Sequence, residues 1–254
     1  MTTNNISTLV MTLALLPGLA VAAEETRELD DFDTVHFVLP YEVEFVQSDE
    51  PYLTLEGDED AIADVKTRMK GGTLKIYKDN GSWFNWGNGE PVVITVGYTE
   101  LEGINMAGSG DGYAEVLDNA ELELKITGSA NLEVDEVQAD NVQISIAGSG
   151  NVQLNEVDVD TLTARIAGSG DIRLEGRAVT QKVSIAGSGD FRAQELRTQE
   201  TDASIRGSGD IRVWAETQLA IDITGSGDLR YYGTPSVTER IVGSGDIVRM
   251  GDAP

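Results

Sequence analysis

An all-β fold, a right-handed parallel β-helix with coils of about 18–20 residues, is predicted from three observations. A Gly-Ser-Gly/Ala-Asp/Asn motif recurs eight times, with its serines at Ser109, Ser129, Ser149, Ser169, Ser188, Ser208, Ser226 and Ser244, at intervals of 20, 20, 20, 19, 20, 18 and 18. A period this regular is the mark of a solenoid, in which each repeat packs on its neighbours. Between motifs the apolar residues alternate, as in Leu122, Leu124 and Ile126 or Val142, Ile144 and Ile146, which is strand period and not helix period. Finally, the composition is 40% hydrophobic with 28 Gly and no Cys, enough apolar content for a core and no cysteine for a disulfide scaffold.

Residues 1–23 carry no charged side chain and run apolar up to Pro17-Gly18 and a series of small residues, where Glu24 and Glu25 end the stretch. This reads as a secretory signal peptide, cleaved after Ala22 or Ala23, and it lacks the basic residue usual near the start. No later segment is long and apolar enough to span a bilayer as a helix. The chain is therefore expected to be exported, as a periplasmic, cell-surface or secreted protein with no integral membrane domain after signal cleavage.

Residues 24–104 lack the motif but still alternate, as at Val35, Phe37 and Leu39 or Leu74 and Ile76. They are expected to form irregular first coils and the N-terminal cap that a solenoid needs over its exposed end. One short helix is expected over Asp58 to Met69, with an acidic start, Lys66 and Arg68 near its end, and Gly71-Gly72 as the stop. Asn80 to Gly89 holds Trp83, Phe84 and Trp86 between glycines and asparagines, which reads as a loop. Two readings stay open for these rings: a lid folded over the coil stack, or a contact site for a sugar, a protein partner or a membrane interface.

Residues 105–254 are read as the repeating coils of one continuous solenoid domain with a C-terminal cap. Met106, Ile126, Ile146, Ile166, Ile185, Ile205, Ile223 and Ile241 each precede a motif glycine by two residues and should stack as one internal column. The glycines suit positive φ and close approach at the corner, and the Ser, Asp and Asn side chains can bond local backbone amides. Ala130 replaces the second glycine in the second motif, so positive φ is not required there. Glu239 and Arg249 fall at inward positions of the last coil, as a polar cap would have them.

The residues that follow the motifs are Asp111, Asn131, Asn151, Asp171, Asp190, Asp210, Asp228 and Asp246. Carboxylates stacked coil on coil invite a calcium reading, above all at Asp171, Asp190, Asp210, Asp228 and Asp246. A structural ladder is preferred, because Arg173, Arg192, Arg212 and Arg230 lie two residues further on the same outward face. Where Asn131 and Asn151 replace the acid, Glu133 and Gln153 replace the arginine.

The eight corners, preceded by R-E-L-D-D-F-D-T-V from Arg27, G-G-T-L-K-I from Gly71 and V-V-I-T-V-G-Y-T-E-L-E-G-I from Val92, resemble the putative autotransporter adhesin head domain family, also called the head GIN domain. The resemblance spans nearly the whole chain after residue 23. It implies a β-helix of unknown function and carries no catalytic or binding residues with it.

Net charge narrows the partners. With 18 Lys plus Arg against 44 Asp plus Glu, the chain carries −26 and repels phosphate backbones, so no nucleic acid partner is expected. The only histidine, His36, lies in an alternating strand and reads as a surface side chain rather than a general base. A glycine triplet followed by a strand, without a helix and lysine, does not make a phosphate loop. The chain is thus read as a non-catalytic exported binding or structural module, with no cofactor, whose partner is a cell-envelope polymer or protein. The alternatives are a calcium-dependent extracellular module using the corner aspartates and a polysaccharide-acting β-helix enzyme.

Overall fold

The computed structural model describes residues 23–78 and 92–254, together with the backbone of Thr8–Leu9. The remainder of the leader and the aromatic segment with Trp83, Phe84 and Trp86 lie outside the described residues. In chain order the first elements are β1 (Thr8–Leu9), β2 (Ala23–Glu28), β3 (Thr34–Val38), β4 (Glu42–Gln47), β5 (Tyr52–Gly57), α1 (Glu59–Asp64), β6 (Val65–Lys70), β7 (Thr73–Lys78) and β8 (Val93–Tyr98). The repeating part follows as β9 (Gly103–Gly108), β10 (Asp111–Asp118), β11 (Glu121–Gly128), β12 (Asn131–Gly148), β13 (Asn151–Gly168), β14 (Ile172–Gly187), β15 (Phe191–Gly207) and β16 (Ile211–Gly225). The last coil is built from β17 (Leu229–Tyr232), β18 (Ser236–Gly243) and β19 (Ile247–Gly251).

From β9 onward the coils form a parallel β-helix, each strand pairing with its equivalent one coil away. The inward positions of β13 show how one coil turns. Val152 and Leu154, then Val157 and Val159, then Leu162, Ala164 and Ile166 are buried, and the alternation slips where two outward residues follow in succession. Those slips, with the Gly168-Ser169-Gly170 corner, divide the coil into three faces. Alternation within each face buries every second side chain, and stacking aligns those chains into columns. The column of Met106, Ile126, Ile146, Ile166, Ile185, Ile205 and Ile223 is at most 1% exposed, as expected, whereas its last member Ile241 is 40% exposed. Methionine is longer than isoleucine, and Gly112 makes room for it: a Cβ there would stand 2.8 Å from the Met106 sulfur.

At the N-terminal end the coils stack in an order that differs from the chain. β3 lies between β7 and β9, and β4 lies between β8 and β10, all parallel. The β7–β8 coil is therefore outermost, although it follows β3–β4 in sequence. Antiparallel strands close it: β5 pairs with β8 and with β2, and β6 pairs with β7. Such pairing hides the edge amides that an open coil would leave unsatisfied.

The expected helix is shorter than its sequence suggested. It ends at Asp64, with the Asp58 carboxylate accepting from the N–H groups of Asp60 and Ala61 at 3.1 Å each. Val65–Lys70 forms a strand instead, joined to β7 through Gly71 and Gly72 at φ +58° and +78°. Two successive positive φ values make the mirror-image turn that matches strand twist, so Gly71-Gly72 is a hairpin turn and not a helix stop.

The interior is one contiguous apolar cluster from Phe32 to Leu229, broken by a polar group. Gln181 and Thr201 occupy the inward column between Leu162 and Leu219, and both are buried. Thr201 Oγ1 lies 2.7 Å from Thr198 Oγ1 and 3.4 Å from Gln181 Oε1, while Gln181 Nε2 has no hydrogen-bond partner among the described residues. Leaving a buried amide nitrogen unpaired costs about 1–3 kcal/mol. Gln181→Leu, restoring the residue type of the same column, is expected to raise stability by about 1–2 kcal/mol, read as a higher thermal midpoint. A lowered midpoint in a melting experiment would show that the amide is satisfied and supports the coil.

Among the described residues, no strand beyond β18 and β19 pairs with the last coil. Glu239 stands opposite Ile221 and is exposed, in keeping with an inward polar residue at an open end. Arg249 turns away from the interior, its Nε donating to the Gly233 carbonyl at 2.8 Å and its guanidinium pairing with Asp252. Charged residues on an exposed edge discourage pairing with another sheet.

Candidate functional site

The first outward positions after each corner form two adjacent columns running the length of the solenoid. Register places Glu44, Tyr113, Glu133, Gln153, Arg173, Arg192, Arg212 and Arg230 side by side on successive strands. Two residues earlier, the corner acids and asparagines form the second column, joined at its N-terminal end by Glu42 and Val93. This face changes character along its length: it is acidic and aromatic in its first coils and zwitterionic in its later ones.

In the later coils the corner aspartates bond forward rather than within their own turns. Asp171 Oδ1 accepts from the backbone N–H of Asp190 at 2.9 Å, Asp190 from Asp210 at 3.1 Å, Asp210 from Asp228 at 3.0 Å and Asp228 from Asp246 at 3.0 Å. The second oxygens meet arginine. Arg192 bridges Asp171 at 2.9 Å and Asp190 at 2.8 Å, and Arg230 bridges Asp210 at 3.3 Å and Asp228 at 3.1 Å. Alternate arginines thus each serve two aspartates, an arrangement that suits the forked guanidinium. Arg173 departs from the expected ladder and pairs with Glu175 at 2.7 Å and Glu195 at 3.6 Å.

Both oxygens of Asp171, Asp190, Asp210 and Asp228 are engaged by protein donors. A calcium ion at this column would compete with the guanidinium groups of Arg192 and Arg230 for these oxygens. Among the described residues, no group of three or more His, Asp or Glu is placed to hold a metal ion.

The corner serines Ser109, Ser129, Ser149, Ser169, Ser188, Ser208, Ser226 and Ser244 are exposed. Their role in stacking falls to the backbone: the N–H of Ser149 donates to Gly128 O at 2.8 Å, that of Ser188 to Gly168 O at 2.8 Å, and that of Ser244 to Gly225 O at 2.9 Å. His36 is partly buried beside Lys75 and Asn105. Burial, with the charges of Lys75 and Lys125, lowers its pKa, so it is neutral at pH 7.

In the first coils the same face forms a groove of about 440 Å³ that includes the carboxylates of Glu42, Glu44, Asp111 and Glu133. Val93 is 45% exposed and Tyr113 37% exposed at its floor. The Tyr113 hydroxyl donates to Asp135 Oδ2 at 2.7 Å, a bond that pushes its pKa up to about 12 and keeps the phenol neutral. Asn131 Nδ2 donates to Asp111 at 2.7 Å and Asn155 Nδ2 to Glu133 at 3.1 Å, which orients these acids without neutralising them. The groove escaped the sequence reading, although one signal was there: Tyr113 occupies the position, two after the corner acid, that the later coils give to arginine.

Comparison with known proteins places the architecture. The model of a family described as putative auto-transporter adhesin, head GIN domain, matches residues 31–235. A crystal structure of a putative lipid binding protein from Parabacteroides distasonis is 30% identical, with a TM-score of 0.85, covering 92% of this chain and 98% of that one. A putative adhesin from Parabacteroides merdae is 21% identical, with a TM-score of 0.84, over 92% of this chain and 98% of that one, and shows the same fold. A putative adhesin from Bacteroides fragilis, 22% identical, has a TM-score of 0.65 over 91% of this chain and 98% of its own. No curated protein matches.

Proposed function

Because the chain belongs to the putative auto-transporter adhesin, head GIN domain family, we propose that it is an exported, non-catalytic β-solenoid acting as an adhesin-like binding module at the cell envelope or outside the cell. The observation that carries this reading is the outer face itself. Its later acids and arginines satisfy one another on a stack of hydrogen-bonded coils, giving a rigid contact surface rather than a set of groups poised to react. A shallow groove over Thr180, Lys182, Glu200, Asp202, Gln218 and Thr238 adds hydroxyl, amide and charged groups on another part of the coils. The uncharged leader of residues 1–23 supports export, and among the described residues no helix is long and apolar enough to cross a membrane. The names of the related structures, adhesins and a lipid binding protein, agree with binding rather than catalysis.

The test is made in the native cell with the full chain carrying a C-terminal epitope tag. The expected result is recovery of the tag outside the cytoplasm with the leader removed, together with saturable cosedimentation of the purified mature protein with envelope fractions. Retention in the cytoplasm would overturn export, and failure to sediment with any envelope fraction would overturn the binding reading.

A further inference from the structure

We propose that the groove on the first coils binds a cationic peptide segment, with a Lys or Arg side chain lying on the Tyr113 ring between the carboxylates of Glu44 and Glu133. This deepens the reading of the chain as a binding module by naming the chemistry of a ligand. Three observations converge on it.

The ring is flanked on both sides by acids. Tyr113 pairs with Glu44 on one neighbouring strand and with Glu133 on the other, so an acidic residue stands a single strand spacing away on each side. Glu42 and Asp111 continue the same pattern along the adjacent column, and among the described residues no Lys, Arg or His lines the groove. Like charges on neighbouring strands repel. Later coils relieve that repulsion with Arg192 and Arg230, whereas here the neighbours are Asn131 and Asn155, which donate hydrogen bonds but bring no charge.

The floor is apolar and held in place. The Tyr113 hydroxyl is tied to Asp135, which holds the ring at the surface, and Val93 extends the apolar area beside it. A bare cation would gain nothing from Val93. A Lys or Arg side chain carries both an apolar stem and a charged head, matching a floor and rim of this kind, and its head is attracted to the face of an aromatic ring. The groove volume of about 440 Å³ lies within the range of pockets that take small ligands or a few side chains. Nucleic acid is excluded as the occupant by its own negative charge.

The probe is a fluorescently labelled tri-arginine amide, titrated at 150 mM salt into the purified chain. Saturable binding is expected. Tyr113→Ala should weaken it about threefold, as for an exposed cation–ring contact. Glu44→Gln with Glu133→Gln should weaken it about tenfold, through loss of two charge-assisted contacts. Tyr113→Phe keeps the ring and should bind within twofold of the parent. Asp118→Asn with Asp140→Asn removes the same charge from a different corner and should also stay within twofold.

Equal weakening by the Asp118/Asp140 pair would assign binding to bulk attraction toward the net charge and overturn the proposal. So would an equal loss in Tyr113→Phe and Tyr113→Ala, or absence of saturable binding by the parent. Spermine is the competitor that separates sources: displacement at concentrations equal to the peptide would give the groove to free polyamines and overturn the peptide assignment. Because these measurements read one groove with a defined peptide, their failure leaves the envelope and export tests standing, and the reverse also holds.

Discussion

Gly187→Ala is expected to destabilise the solenoid by about 3–5 kcal/mol, whereas Gly108→Ala should cost about 1–3 kcal/mol, although both glycines open the same motif. The shared part is backbone strain: φ is +144° at Gly187 and +117° at Gly108, a region closed to residues with a Cβ. The difference comes from the neighbouring coil. A Cβ on Gly187 would stand 2.1 Å from the carbonyl oxygen of Gly168, an impossible contact with backbone that cannot swing aside. A Cβ on Gly108 meets nothing within 4 Å among the described residues. Chemical denaturation of the two variants beside the parent measures the gap. Equal midpoints would show that strain alone, and not coil spacing, demands glycine at the corner.

Ile166→Ala is the second large expected effect, a loss of about 2–5 kcal/mol through lost burial and a residual cavity. Ile166 is 1% exposed, with Ile146 and Ile185 beside it on the neighbouring strands, so the gap cannot be filled by solvent or by collapse of one neighbour alone. Ile241→Ala removes the same atoms from the same column at its open end, where the side chain is 40% exposed, and should cost under about 1 kcal/mol. Thermal melts of both variants decide the point. If Ile241→Ala were as damaging as Ile166→Ala, the last coil would be as tightly packed as the middle ones.

Much of this was readable before any coordinates. Counting three back from the corner serines finds the column of Met106 and the isoleucines, and counting seven back from the last seven of them finds Leu122, Val142, Leu162, Gln181, Thr201, Leu219 and Val237. The polar pair Gln181 and Thr201 is therefore visible as an exception in the alternation, and the fold puts it inside. The Asp and Arg columns were legible for the same reason, since alternation assigns a side chain to a face without reference to what lies across from it. Gly71-Gly72 was harder. The two residues read as a helix stop, but the same pair also makes a hairpin turn, and the choice depends on whether Val65, Thr67 and Met69 find a strand to pair with.

Partnering was the part that stayed hidden. Nothing local makes Arg192 bridge Asp171 and Asp190 while Arg173 turns to Glu175 and Glu195. Nor could alternation tell that Tyr113 stands between Glu44 and Glu133, because Glu44 belongs to a coil distant in sequence.

By itself, then, the sequence determined the parallel solenoid, its coil length, its inward columns and the outward placement of its charges. These follow from period-two alternation and a recurring glycine corner, properties of short stretches of chain. Tertiary structure alone decided that β3–β4 is inserted between β7–β8 and β9–β10, that antiparallel strands close that end, and that an aromatic, acidic groove results. The reason is physical: a strand's own residues set which side it buries, but which edge it pairs with is settled by where the unsatisfied amides and uncovered apolar faces of the rest of the chain can all be met at once.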